Sequence, residues 1–130
     1  MDEPEDSIGR ELHHLTVVGE FLLDRETIRV WRGNKALKLS MRQFRLLDVF
    51  MRHAGETISS GALKELVWGS ESTVGEATVT AEIMRLRRAI GGRKRETPLR
   101  TVRRLGYVFE APKRRTAPKQ SLTMSDGSPQ

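Results

Sequence analysis

Between residues 15 and 39 the apolar side chains come in short bursts, LTVV, EFLL, TIRVW and ALKL. Gly19, the Asp24-Arg25-Glu26 stretch and the Gly33-Asn34 turn signal separate them, a pattern that predicts a small antiparallel sheet. The period then changes. Ser40, with Gln43 three residues on, makes a capping box, and Phe44, Leu47, Phe50 and Met51 follow at helical spacing, so a first helix is expected to run to about His53. Ala54-Gly55 ends it, Thr57-Ile58 is a brief extended link, and Ser59 caps a shorter helix with Leu63, Leu66 and Val67 on one face. Trp68-Gly69 closes this second helix, and a loop over residues 69–75 leads to the third, expected over 76–90 with Gly91-Gly92 as its stop. At 100° per residue, Val79, Ile83, Leu86 and Ile90 fall within an arc of about 60°, a narrow stripe for a core. Ala77, Ala81, Met84, Arg85 and Arg88 gather opposite. Two last β runs, 99–103 and 107–110, flank Arg104-Leu105-Gly106 and predict a hairpin.

Sheet, helix, helix, helix, hairpin, with arginine exposed on the third helix, is the order of an α+β winged helix-turn-helix fold. Its parts are a small N-terminal antiparallel sheet, three helices and a C-terminal β-hairpin wing. A chain of 130 residues has room for one such domain, expected over residues 12–112. Residues 1–11 read as an acidic flexible leader and 113–130 as a disordered, Ser/Pro-rich and charged tail. Charge sharpens the picture. Residues 1–84 hold ten Lys/Arg and fourteen Asp/Glu, net −4, whereas residues 85–130 hold thirteen and three, net +10. Nine basic side chains lie between Arg85 and Arg104 against Glu96 alone, a block suited to a polyanion; the alternative is a solvated basic face.

The stretch LKLSMRQFRLLDVFMRHAGETISSGALKELVWG, then ATVTAEIMRLRRAIGG and LRTVRRLGYVFE, resembles the DNA-binding effector domain of OmpR/PhoB-type response regulators over about residues 15–109. Most distinctive are Arg85-Leu86-Arg87, Val67-Trp68-Gly69, Thr101-Val102-Arg103 and Gly106-Tyr107. The resemblance implies a sequence-specific double-stranded DNA-binding transcriptional regulator of bacterial type, the third helix in the major groove and the wing in the minor groove. Arg85 then reads a base, its fork suiting guanine O6 and N7, with Ala81 one turn earlier against a thymine methyl. Arg87, Thr78 and Trp68 correspond to phosphate-contacting positions, as do Thr101 and Tyr107 in the wing. Arg103 falls on the minor-groove arginine, and Arg88 shares the exposed side with Arg85. The bland readings are a buried Trp68, a Tyr107 ring packed between sheet and helix, and a solvated Arg85.

Four positions depart from the family pattern: Ala77 for a common arginine, Met84 for a polar or basic residue, Glu82 for a common histidine, and Arg104 for a usual glycine. Glu82 either orients a neighbouring arginine, accepts from cytosine N4, or repels a phosphate; its flank position favours repulsion. No receiver is legible in a chain this short, and Met1 with the tail suggests a stand-alone effector domain over a piece of a longer protein. Tandem pairing on DNA follows from the resemblance alone. The rival reading is a winged-helix interaction module that binds RNA polymerase or another regulator through the loop bounded by Gly69 and Gly75; a basic RNA-binding protein is a third. Enzyme chemistry finds no support: there is no cysteine, and His13, His14 and His53 lack ligand spacing. No phosphate-loop motif occurs, so neither metal nor cofactor is expected. No apolar run approaches a membrane span and residues 1–10 are unlike a signal peptide, which places the chain in the cytoplasm with the nucleoid.

Overall fold

The four apolar bursts form an antiparallel meander in the computed structural model, which describes residues 14–91 and 97–111. Its strands are β1 (Leu15–Val18), β2 (Phe21–Asp24), β3 (Arg29–Arg32) and β4 (Lys35–Leu37), in that order across the sheet. Strand alternation sends Phe21, Leu23 and Val30 into the core. Val17, Leu22, Trp31 and Ala36 stand in register on the other face. The TIRVW run is shorter than its composition suggests. Asp24 Oδ1 accepts from the Glu26 and Thr27 amides at 2.9 and 3.4 Å, folding a tight turn that takes in Ile28 at φ 58° and delays the strand to Arg29.

Helix α1 (Met41–Arg52) begins at the capping box: Gln43 N donates to Ser40 Oγ at 3.1 Å, and Ser40 N donates to Gln43 Oε1 at 2.7 Å. It buries Phe44, Leu46, Leu47, Phe50 and Met51. Ser59 Oγ accepts from Ala62 N at 3.1 Å and starts α2 (Ser60–Leu63). The chain then widens into one π-helical turn, Lys64–Trp68, where Gly69 N donates to Lys64 O at 3.0 Å, five residues back. That turn corrects one expectation. A wider turn rotates less per residue, so Leu63 and Val67 stay on the buried face while Leu66, expected beside them, swings out to 59% exposure.

Helix α3 (Glu76–Ile90) buries the stripe of Val79, Ile83, Leu86 and Ile90, and Gly91 ends it at φ 81°. The hairpin of β5 (Leu99–Val102) and β6 (Gly106–Phe109) follows, with Val102 paired to Gly106. It joins the rest at two levels. Tyr107 and Ile58 exchange backbone bonds at 2.8 and 2.9 Å, and the Phe109 ring meets Phe21 edge-on at 5.3 Å between centroids, closing the core between wing and sheet. The leader, the tail, His13 and the basic residues Arg93, Lys94 and Arg95 lie outside the described residues.

Arg104 stands where the resemblance implies a wing glycine, and the hairpin forms nonetheless. Leu105 N donates to Val102 O at 2.9 Å, which puts Arg104 third in the turn with φ 69°, the place where a type II turn favours glycine. A side chain there costs about 1–2 kcal/mol, partly offset by its smaller entropy loss on folding. Arg104→Gly is therefore expected to stabilise the domain by about 0.5–1 kcal/mol and raise Tm by about 2–6 °C in a thermal melt.

Candidate nucleic-acid interface

Helix α3 has one apolar side committed to the core, so its remaining side chains have to face solvent. Thr78, Met84, Arg85 and Arg88 are exposed, Ala77 with them, and Ala81 is half-buried. The Arg85 guanidinium is paired: its Nη1 donates to Glu82 Oε2 at 2.9 Å, the arginine 58% exposed and the carboxylate 20%. An i,i+3 pair of this kind adds little stability on a surface but restricts the arginine's rotamers. The ion pair that is one of the alternatives for Glu82 is thus present, and it compensates the carboxylate's charge on its own helix.

Four residues implied as backbone contacts are tied into the protein. Arg87 is half-buried, its Nε donating to Leu99 O at 2.9 Å and its Nη2 to Thr101 Oγ1 at 2.6 Å, so Thr101 is engaged with it. Tyr107 is only 8% exposed, and its hydroxyl lies 3.3 Å from Thr80 Oγ1 on α3. The packed ring is the arrangement observed, and its polar end points at the helix. Trp68 is half-buried against the core under the Arg42 guanidinium, 4.8 Å from the ring centroid, while Arg42 Nη1 donates to Val67 O at 3.3 Å. Its indole N–H donates to no described residue.

Arg103 and Arg104 are exposed at the wing tip and Arg88 on the helix, with no ion-pair partner among the described residues. Eight of the ten expected site residues, namely Thr78, Ala81, Glu82, Arg85, Arg87, Arg88, Thr101 and Arg103, lie at least partly open on α3 or the wing. Sequence reasoning missed Thr80 and Arg42, which hold two of the others; their partners are 27 and about 26 residues away, beyond any local pattern. It also missed Arg32 on β3, whose Nη1 donates to the terminal α3 carbonyl of Ile90 at 2.9 Å while its Nε meets Glu20 at 2.6 Å. Among the described residues no group of three or more His, Cys, Asp or Glu side chains is placed to hold a metal ion.

The geometry agrees with comparisons to known proteins. A family described as "Transcriptional regulatory protein, C terminal" matches residues 33–109. The phosphate regulon transcriptional regulatory protein PhoB of Rhizobium meliloti is 39% identical over 93 residues, 72% of this chain and 41% of that protein. The chain thus spans about two fifths of that relative's length. Among solved structures, the Klebsiella pneumoniae RstA DNA-binding domain, in complex with the RstA box, aligns at a TM-score of 0.68 and 27% identity, covering 75% of this chain and 98% of that one. The Thermotoga maritima response regulator DrrB, an OmpR/PhoB homologue, aligns at 0.69 and 26% identity, covering 83% and 52%. Fold, helix-and-wing geometry and sequence match converge, and the chain belongs to the OmpR/PhoB-type family of transcriptional regulatory protein C-terminal domains.

Proposed function

We propose that the chain binds double-stranded DNA in a sequence-specific manner and regulates transcription, with α3 in the major groove and the wing in the minor groove. The observation that carries this reading is the solvent side of α3, where Arg85 stands oriented by Glu82 between Thr78 and Arg88. The wing tip adds Arg103 and Arg104, suited to the focused potential of a narrow minor groove. The RstA DNA-binding domain, solved in complex with the RstA box, supports the DNA-binding part of this reading. The role is one of binding, not catalysis, and is exercised in the cytoplasm on the nucleoid by the domain of residues 12–112. Tandem pairing of two copies on adjacent half-sites extends the reading by resemblance, and contact of the 69–75 loop with RNA polymerase is the rival use of the same fold.

Competition binding against a randomised duplex library tests the assignment. Arg85→Ala is expected to abolish preference among operator variants at a cost of about 1–3 kcal/mol on the best site, with little change on random duplex. Glu82→Gln, which frees the guanidinium, is expected to blunt the same preference to a smaller degree. Identical specificity profiles for the wild type and Arg85→Ala would remove Arg85 as the reader.

A further inference from the structure

Arg87 differs from the other cations of the face because its guanidinium is already spoken for. Two of its five N–H donors reach acceptors on one strand: the Leu99 carbonyl at 2.9 Å and the Thr101 hydroxyl at 2.6 Å. A planar fork offers two donors at a fixed spacing to the Leu99 carbonyl and the Thr101 hydroxyl, a geometry that a lysine ammonium, a compact charge on a flexible stem, does not reproduce. The guanidinium also lies 5.9 Å from the centroid of the Tyr107 ring on β6. Burial lowers the Arg87 pKa and the neighbouring Tyr107 raises it; the group stays charged at any physiological pH. Among the side-chain hydrogen bonds of the described residues, those of Arg87 alone join α3 to β5. From β6 the wing is held separately, by Thr80 and Ile58 through Tyr107.

We infer that Arg87 is a positioning residue that clamps β5 of the wing to α3 and so sets the angle between the major-groove and minor-groove readers. Its positive charge toward a phosphate is secondary to this. The clamp itself is a property of the free protein; only its consequence for recognition rests on the DNA-binding reading.

Amide hydrogen exchange on the free chain tests the clamp with Arg87→Lys, Thr101→Val and the double variant. Arg87→Lys keeps the charge and is expected to speed exchange of the β5 and β6 amides roughly tenfold, about the worth of one hydrogen bond, while α1 amides stay unchanged. Thr101→Val should give a smaller rise, and the double variant should be no faster than Arg87→Lys, since both remove the same contact. On duplex, Arg87→Lys should lose wing protection from hydroxyl radicals but keep guanine N7 protection under α3, with a shallower salt slope as the wing's phosphate contacts are lost. Wild-type wing exchange in Arg87→Lys would overturn the proposal, and so would an equal rise across α1, which would make Arg87 a general stability residue. Independent effects of the two substitutions would overturn it as well. Faster wing exchange in a protein that protects no duplex would uphold the clamp and refute the DNA reading instead.

Discussion

Gly106→Ala is expected to be the most damaging glycine-to-alanine change among the described residues, lowering stability by roughly 3–5 kcal/mol and Tm by about 15–30 °C. A Cβ at Gly106 would drive into the Ile58 carbonyl oxygen, and it would sit 2.7 Å from the carbonyl carbon and 2.8 Å from Ser59 Cα. All three are backbone atoms, so no rotamer can yield. The φ of +145° is itself one that side chains rarely adopt. Relief requires moving β6 off residue 58, which sacrifices the two Ile58–Tyr107 backbone bonds and uncovers the Tyr107 ring. Gly61→Ala is the control. There the added methyl meets nothing nearer than Ser59 Oγ at 4.0 Å, so its melt should stay within a degree or two of wild type. Equal melts for the two variants would mean that the wing does not close against residue 58.

The second large effect is that of salt on duplex affinity. Arg85, Arg87, Arg88, Arg103 and Arg104 lie on the helix and wing, within a segment of nine basic residues from 85 to 104. About 4–6 phosphate contacts give a slope of log affinity on log salt of about −4 to −5. Raising salt from about 50 to 200 mM should therefore weaken binding roughly 250- to 1000-fold. Glu82 does not spoil this gradient, because its charge is matched by Arg85 on the same helix. A fluorescence titration at four or five salt concentrations measures the slope, and a flat response would rule out DNA as the partner of this face.

What the sequence made legible was local. The Ser40 and Gln43 box, the Ser59 cap and the α3 stripe each depend on residues three or four apart, and each formed as its spacing predicts. The π-helical turn was hidden because the spacing of Leu63, Leu66 and Val67 fits an ordinary helix, and only packing shows that Leu66 is left out. The TIRVW burst predicts strand through Ile28, yet the Asp24 side chain turns the chain ahead of it. Among the site residues, the outward ones on α3 followed from periodicity. Arg87, Tyr107 and Trp68 did not, since a resemblance names a contact but not the intramolecular partners that a side chain meets first. Those partners lie on other elements, at separations that sequence pattern does not reach.

The hydrogen bond from Arg32 to the last carbonyl of α3 bears on how the domain may be cut and transplanted. Helix α3 ends against a side chain supplied by the N-terminal sheet, one that also packs over Phe21 at 4.9 Å. The family match starts at residue 33, immediately after it. A graft trimmed to the shared stretch would carry every outward side chain of α3 and the whole wing, yet would leave the helix's C-terminal end bare and Phe109 without its aromatic neighbour. The smallest portable unit is therefore the one that begins at β1, and in a chimaera the sheet is part of what holds α3 and the wing, not a spacer.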